Sequence, residues 1–205
     1  MAKKPTWLIT NPATSGSGNG SIQNSANEHT GRLARSGTVT VTATGLATPK
    51  TYKVTQSPKA EYVSFDNGTE MAAQKTGGSL SIQGKSNSAK LTFSWVGEVT
   101  DVTIPDTYQA NGTTTGNGSD IEGDPGASNE FDFAVVLDLP KNETVEEIDR
   151  TLLVTAGGAQ AAQITIKQAA GDPILEIEPT EITIPQSGTP AVSVQVESNT
   201  TWTIS

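Results

Sequence analysis

The stretch Leu80-Ser81-Ile82-Gln83, followed closely by Ser86-Asn87-Ser88, decides the fold of this chain. The same pattern returns as Val192-Ser193-Val194-Gln195, followed by Ser198-Asn199-Thr200, at one constant offset. Apolar and polar residues alternate in both copies, and this period of two is typical of a half-buried β-strand. We therefore predict a strand-based unit that occurs more than once along the chain.

Alternation with the same period occurs in several segments. These segments are residues 38–42, 51–55, 79–83, 163–167, 181–184 and 193–196. Threonine, serine, glycine and asparagine are abundant, which favours short strands joined by tight turns. At most residues 145–150 form a helical turn, with Glu146 and Arg150 at the i,i+4 spacing of an ion pair. The sequence predicts an all-β fold.

Two further blocks recur. A glycine-rich loop, Gly18-Asn19-Gly20-Ser21, is matched by Gly116-Asn117-Gly118-Ser119. A closing block follows, in which an asparagine precedes an arginine by a fixed interval and a later strand ends on glutamine. These residues are Asn27, Arg35 and Gln56 in one copy and Asn142, Arg150 and Gln168 in the other.

The order of the blocks divides the chain into three parts. Residues 61–172 carry the opening, loop and closing blocks in order, so they form one complete unit with an insertion at residues 97–130. We call this part the central unit. Residues 1–60, the N-terminal block, carry only the loop and closing blocks, and residues 173–205, the C-terminal block, carry only the opening block. The two blocks are complementary halves.

A half-unit of about 55 residues buries too little surface to be secure and leaves a sheet edge unpaired. The C-terminal block could complete the N-terminal block of its own chain, or donate strands to that of a neighbouring copy. It could also dock elsewhere, or the chain could continue beyond the given sequence. Residues 6–10 and 201–205 share a Thr-Trp pattern and would compete for one position, so the sequence leaves these alternatives open.

Taken together, the motifs resemble the BACON family of immunoglobulin-like β-sandwich domains. The matching pattern is Ser198-Asn199-x-x-Trp202-x-Ile204, continued in the repeat by a Gly-Asn-Gly loop, an Asn-x7-Arg segment and a strand ending in glutamine. In the central unit Lys90 replaces the tryptophan, so this unit diverges from the pattern. The resemblance implies sandwich repeats of the kind found in surface proteins of gut Bacteroidetes and in virion proteins of crAss-like bacteriophages.

Such a sandwich implies inward-facing residues in both blocks. Because an immunoglobulin-like unit commonly fills its centre with a tryptophan, the alternating strand motif around Trp7 is expected to lie in a core. The expected core anchors are Trp7, Val39, Val41 and Val54. The residues expected on assembly strands of the C-terminal block are Ile182, Ile184, Val192, Val194, Val196, Trp202 and Ile204.

Composition argues against several classes of function. The chain of 205 residues has no cysteine, so it forms neither disulfides nor thiolate zinc sites. Its formal charge is −9 and its 13 basic residues form no cluster, which argues against a nucleic-acid partner. The apolar run Trp7-Leu8-Ile9 is too short for a signal peptide, and no segment approaches the ~20 apolar residues of a membrane span. We expect a soluble protein without a leader.

Catalytic residues are not apparent in the sequence. His29 is the one histidine, and no Gly-x-Ser-x-Gly elbow accompanies it, so we expect a solvated loop residue. Asp132 and Asp138 could supply paired carboxylates for glycoside hydrolysis. They alternate with apolar residues, however, and are expected on the outer face of a strand. The sequence predicts no enzyme and no cofactor.

Two ligand classes remain as alternatives. The insertion contains four side chains whose oxygens suit calcium, although their spacing does not fit an EF-hand loop. They are Asn117, Asp120, Glu122 and Asp124. Sugar binding by a β-sandwich relies on exposed aromatic rings, and Trp95 and Tyr108 are the candidates for stacking on a glycan.

The expected function is structural. Surface-type repeats, no export signal and complementary ends favour a virion protein of a crAss-like bacteriophage, assembled in the host cytoplasm. The favoured type is an auxiliary or decoration capsid protein that contacts the major capsid protein and copies of itself. The alternative is a carbohydrate-binding or adhesin module that contacts host or gut glycans.

Overall fold

The computed structural model describes residues 4–158 and 160–205. Its strands are β1 (Leu8–Asn11), β2 (Gln23–Ala26), β3 (Arg35–Val41), β4 (Lys50–Gln56), β5 (Val63–Phe65), β6 (Glu70–Ala73), β7 (Gly78–Ser86), β8 (Leu91–Trp95), β9 (Thr107–Ala110), β10 (Thr113–Gly116), β11 (Phe131–Leu139), β12 (Ile148–Ala156), β13 (Ala161–Gln168), β14 (Leu175–Glu178) and β15 (Gln195–Ser198). The described residues contain one helical element, a 3₁₀ turn at Pro125–Ala127, and no helix long and apolar enough to cross a membrane. The predicted all-β fold is confirmed.

The central unit is a sandwich of two sheets. One sheet has the strand order β10-β9-β11-β7-β5, and the other has the order β6-β13-β12-β8. All pairings are antiparallel except that of β6 with β13. With β5, β7, β11 and β9 as strands A, B, E and D, and β8, β12 and β13 as C, F and G, this is the immunoglobulin-like arrangement.

Alternating side chains fill the space between the two sheets. Strand β11 shows this most clearly, because Phe133, Val135 and Leu137 are all buried while Asp132 and Asp138 point outward. The ring of Phe133 contacts Phe65 and Phe93 edge to face, at centroid distances of 6.1 and 5.9 Å. Burial of each such side chain contributes roughly 1.5–3 kcal/mol, so this core supplies most of the stability of the unit.

The N-terminal block consists of two separate ribbons, β1–β2 and β3–β4. Of the expected core anchors, Val39 is buried, and Trp7 and Val54 are half-buried. The Arg35 guanidinium carbon lies 4.8 Å from the centre of the Trp7 ring, a cation–π contact. The expectation for Val41 is wrong, since it is 40% exposed. It ends β3 where the ribbon leads into the exposed residues 42–48.

The C-terminal block forms only one short ribbon, β14–β15, in the register Leu175 to Ser198 through Glu178 to Gln195. Of the residues expected on assembly strands, only Val196 lies in a strand. Outside the strands lie Ile182, Ile184, Val192, Val194, Trp202 and Ile204. A two-stranded ribbon cannot bury a face by itself, so no neighbouring strand holds these residues in a sheet. Their exposed fractions reach 61% at Ile184 and 87% at Ile204.

The helical turn predicted at residues 145–150 is also wrong. Residues 145–147 form no helix, and Ile148 already begins β12. Arg150 is 3% exposed within that strand, because its guanidinium has partners inside the fold that a local spacing rule does not reveal.

Candidate functional site

The Ser-Asn motif at the end of β7 holds the chain just before β5 through its side chains. Ser86 Oγ donates to the Tyr62 carbonyl oxygen at 2.7 Å, and Asn87 Oδ1 accepts from the Tyr62 amide at 2.9 Å. The Ser88 amide donates to Ser86 Oγ at 3.0 Å. All three motif residues are fully buried. The motif therefore satisfies both backbone groups of one residue, as buried polar groups require.

Asn87 also connects the central unit to the N-terminal block. Its Nδ2 donates to the Thr30 carbonyl oxygen at 3.0 Å and to the Ala60 carbonyl oxygen at 3.2 Å. Thr30 lies in the loop between β2 and β3, and Ala60 lies in the linker before β5. One amide side chain thus joins three segments. We call this set of contacts the first junction.

The insertion covers the first junction from the other side. Arg32 forms a bidentate ion pair with Asp124, with both N–O distances at 2.5 Å. The hydrogen bond from Arg32 lowers the pKa of the Asp124 carboxyl. Backbone bonds add to this pair, since the Arg32 amide donates to the Gly126 carbonyl oxygen at 2.9 Å. The Leu33 amide donates to the Ala127 carbonyl oxygen at 3.0 Å.

Two glycines allow this close approach. A Cβ on Gly31 would lie 2.4 Å from the carbonyl carbon of Ser128, and one on Gly126 would lie 2.2 Å from the carbonyl oxygen of Asn87. Both distances are far below van der Waals contact with backbone atoms. The insertion and the N-terminal block therefore meet backbone to backbone, which leaves no room for side chains.

Tyr62 and Glu130 extend the first junction to its surface. The Tyr62 hydroxyl donates to the Glu130 carboxylate, and the Lys59 ammonium lies 4.4 Å from the centre of the Tyr62 ring. Burial raises the pKa of Tyr62, and the hydrogen bond to Glu130 raises it further. The phenol consequently stays protonated and available as a donor across the neutral pH range.

A second junction repeats these bonds between the central unit and the C-terminal block. Ser198 Oγ donates to the Ile174 carbonyl oxygen at 2.8 Å, and Asn199 Oδ1 accepts from the Ile174 amide at 2.8 Å. Asn199 Nδ2 donates to the carbonyl oxygens of Asp172 and Glu143, at 2.9 and 2.8 Å. Asn199 therefore makes the same kinds of bond as Asn87, and the repeated Ser-Asn motif marks the same position in two successive units.

The loops that receive these bonds also correspond. His29 Nε2 donates to the Leu33 carbonyl oxygen at 2.7 Å, and Asn142 Nδ2 donates to the Glu146 carbonyl oxygen at 2.7 Å. His29 is only 6% exposed, so the expectation of a solvated histidine is wrong. It occupies the place of Asn142, although the sequence pattern matched Asn142 with Asn27. Burial beneath the insertion explains the difference.

The two junctions differ in what covers them. Asn87 is fully buried, whereas Asn199 is half-buried. Among residues 4–158 and 160–205, the second junction has no ion pair equivalent to that of Arg32 with Asp124. The first junction is a sealed interface, and the second is held mainly by one amide side chain.

The closing blocks share an arginine–glutamine bond. Arg35 Nε donates to Gln56 Oε1 at 2.9 Å, and Arg150 Nη1 donates to Gln168 Oε1 at 2.8 Å. Arg150 additionally binds Asp101, and this hydrogen bond lowers the pKa of the Asp101 carboxyl. The shared motif fixes the two final strands of each unit to each other.

Neither candidate for glycan stacking presents a free ring. Tyr108 is 3% exposed, and its ring packs on Phe93 with the centroids 4.9 Å apart. Trp95 packs against the core, and its Nε1 donates to the Val102 carbonyl oxygen at 2.9 Å. Both predictions are wrong. The cause is that β9 joins the edge of the five-stranded sheet with Tyr108 on its inner face, which the sequence left as an insertion.

The oxygen-bearing side chains of the insertion do not converge. Asn117 bonds both backbone groups of Phe93, at 2.8 and 3.1 Å, and Asp124 is occupied by Arg32. In the part of the chain that the structure describes, no group of three His, Asp or Glu residues is placed to hold a metal ion. Asp132 and Asp138 lie on the outer face of β11 as predicted, bonded to Lys85 and Ser79.

A shallow groove of ≈ 320 Å³ lies on the outer face of the five-stranded sheet. Its walls carry Asp66, Gln83, Lys85, Gln109 and Asp132. These amide and carboxylate groups are hydrogen-bonding partners of the type that sugar hydroxyls use, although the only aromatic residue of the wall, Phe133, is buried.

Comparison with known proteins gives few matches. No protein-family model matches the sequence, and no curated protein matches it either. Among solved structures, a Bacteroides ovatus GH5 xyloglucanase in complex with a XXXG heptasaccharide is similar with a TM-score of 0.30 and 16% identity, over 54% of this chain and 19% of that one. Domains 4–9 of the surface layer protein SbsC are similar with a TM-score of 0.37 and 12% identity, over 80% of this chain and 24% of that one. Likenesses at this level say nothing about function.

Proposed function

We propose that the protein is a non-enzymatic structural protein of a virion, an auxiliary or decoration protein on the capsid of a crAss-like bacteriophage. The observation that carries the proposal is the repeated Ser-Asn junction. It fixes each sandwich unit to the one before it through buried side-chain-to-backbone hydrogen bonds. Such junctions give a string of units a defined direction, which is what a structural protein requires.

The chemistry of the junctions also suits assembly in a host cytoplasm. The chain has no cysteine, so its units are held together without disulfides, which a reducing cytoplasm would not maintain. The ion pair of Arg32 with Asp124 and the amide bonds of Asn87 serve instead. In this proposal the contacts are with the major capsid protein and with copies of the chain itself.

The test is to identify the protein in purified particles of the phage that encodes it, by mass spectrometry and then by electron microscopy of the capsid. We expect a fixed copy number per particle and density on the outer surface of the head. Absence of the chain from purified particles, or its presence only in the soluble fraction of infected cells, would refute the proposal.

A second candidate function is glycan binding by the outer groove. It is favoured by the amide and carboxylate groups of Gln83, Gln109 and Asp132, which line one concave surface. The test is titration with plant and mucin oligosaccharides, comparing the natural chain with Gln83→Ala and Gln109→Ala. Binding that both variants abolish would support this function, and binding that neither changes would place the glycan elsewhere or refute the groove.

A further inference from the structure

We infer that the C-terminal block of one copy docks on the N-terminal block of a second copy, so that the chains join head to tail. The inference rests on the proposed structural function and names the partner that one end of the chain would take. It follows from open sheet edges, exposed apolar side chains and opposite charges, which the two blocks carry separately.

The N-terminal block offers open edges where the central unit has strands. In the central unit β6 pairs with β13, and β7 pairs with β11. The counterpart of β13 is β4, which in the described residues pairs only with β3, and the counterpart of β11 is β2, which pairs only with β1. Counterparts of β5, β6 and β7 are not found among residues 4–60. Unpaired edges of this kind accept strands from another chain.

The C-terminal block carries the segments that these edges accept. It matches the opening of the central unit at a constant offset, so β14 corresponds to β5 and β15 to the last part of β7. Phe65 and Ile82 are 8% and 1% exposed in the central unit. Their counterparts, Ile177 and Val194, are 48% and 36% exposed. The same face is therefore present, but it lacks a second sheet to cover it.

Charge selects the partner. Residues 1–60 contain seven lysines and arginines and one glutamate, which gives a formal charge of +6. Residues 173–205 contain four glutamates and no lysine or arginine, which gives −4. The glutamates of the ribbon, among them Glu176 and Glu178, border the exposed Ile177, and the β4 lysines Lys50 and Lys53 are exposed. Complementary charge steers two such surfaces together and disfavours contact between like blocks.

The geometry of the central unit favours a second copy over the same chain. The first junction lies at the Ser86 end of the β7–β11 ladder, and the second lies just beyond its Leu139 end. The nine-residue strand β11 separates the two ends by about 30 Å. No hydrogen bond or ion pair among the described residues joins the two blocks of one chain. A contact between different surfaces of two copies is heterologous, so it grows into a ring or a filament.

The experiment uses the full chain and compares four proteins by light scattering over a concentration series. The donor variant is Ile177→Asp with Val194→Asp, and the acceptor variant is Lys50→Glu with Lys53→Glu. All four residues face solvent or are more than one-third exposed, so each variant is expected to keep its fold. Val136→Asp, at a residue 49% exposed on β11, is the matched control. Circular dichroism verifies that all variants are folded.

We expect the natural chain and the control to associate as concentration rises. Each of the two variants should associate at least about 10-fold more weakly, because a buried charge at an apolar contact is costly. An equal mixture of the two variants should form a dimer and nothing larger, because each retains one intact surface. Raising the salt from about 0.1 M to about 1 M, which shortens the screening length from about 10 to about 3 Å, should weaken association of the natural chain.

Two outcomes overturn the inference. One is a natural chain that stays monomeric at every concentration, and the other is a mixture of variants that gives no dimer. If the protein is nevertheless found in virions, the proposed function stands and the inference alone fails. If the chains join but the protein is absent from particles, the inference stands and the proposed function fails.

Discussion

The central unit and the C-terminal block contain the same opening pattern, yet their side chains have opposite fates. Ile82 of β7 is 1% exposed, while its counterpart Val194 is 36% exposed and lies outside any strand. The difference is that β7 lies between β5 and β11 and faces a second sheet. Alternation specifies which face of a segment is apolar, but burial requires another surface to cover that face.

The largest expected effect breaks this comparison at its centre. Ile82→Ala should lower the free energy of unfolding of the central unit by about 2–5 kcal/mol, because it leaves a cavity between the two sheets. Val194→Ala should change it by less than about 0.5 kcal/mol, as for an exposed residue. Urea denaturation followed by tryptophan fluorescence measures both. Equal losses in the two variants would contradict the difference in burial.

The two asparagines of the junctions sharpen the comparison. Asn87→Ala should cost about 2–3 kcal/mol, because it leaves the Tyr62 amide and the buried carbonyl oxygens of Thr30 and Ala60 without their donor or acceptor. Asn199→Ala should cost less than about 1 kcal/mol, since water can replace its bonds at a half-buried site.

Limited proteolysis provides a second measurement of the same pair. In Asn87→Ala, cleavage in the linker at residues 57–60 should become faster than in the natural chain. In Asn199→Ala, the corresponding change should be confined to residues 172–174. Unchanged cleavage at both linkers would mean that the asparagines do not hold the junctions.

A glycine tests how tightly the insertion covers the first junction. Gly126→Ala should lower stability by about 1–2 kcal/mol, because its Cβ would lie 2.2 Å from the Asn87 carbonyl oxygen. Gly20→Ala is the control, as a Cβ there meets no atom within 4 Å. Thermal unfolding of the two variants gives the comparison. A loss in the control as large as that in Gly126→Ala would contradict close packing.

The smallest expected effect concerns the ion pair that only the first junction has. The pKa of Asp124 is lowered in the folded protein by Arg32, so its contribution is present above the ordinary range and is lost as the pH falls through the folded value. Asp124→Asn should therefore unfold at a lower temperature than the natural chain at pH 7, and the gap should close as the pH falls below about 3.9. Because the Asp124 side chain is 39% exposed, solvent screening keeps the gap small.

The matched control for this pH dependence is Asp66→Asn, an exposed carboxylate on the outer face of the sheet. Its unfolding temperature should follow that of the natural chain at both pH values. A gap for Asp124→Asn that persists unchanged in acid would show that the loss comes from packing and not from charge.

Several features of the structure were predictable because they depend on neighbouring residues. The alternation at residues 38–42, 51–55, 79–83 and 163–167 predicted strands that are present as β3, β4, β7 and β13. The recurrence of the Ser-Asn pair indicated equivalent positions in two units, and both pairs make the same bonds. Local patterns suffice for such features since strand alternation and turn bonding involve residues close in sequence.

Other features were not predictable because they depend on residues far apart in sequence. The pair of Arg32 with Asp124 joins positions 92 residues apart, and no spacing rule identifies it. His29 is buried because the insertion closes over its loop, and Tyr108 points inward because β9 joins the sheet edge. Each of these side chains looked exposed when only its neighbours in the sequence were considered.

By itself, the sequence determined that the chain forms β-strands, where they lie in the central unit and which faces are apolar, because these properties follow from alternation over a few residues. Only the tertiary structure decided which apolar faces are covered, which loops meet at the junctions and which aromatic rings are free to bind a ligand. Burial depends on a second surface, and the sequence of one segment does not state which surface that is.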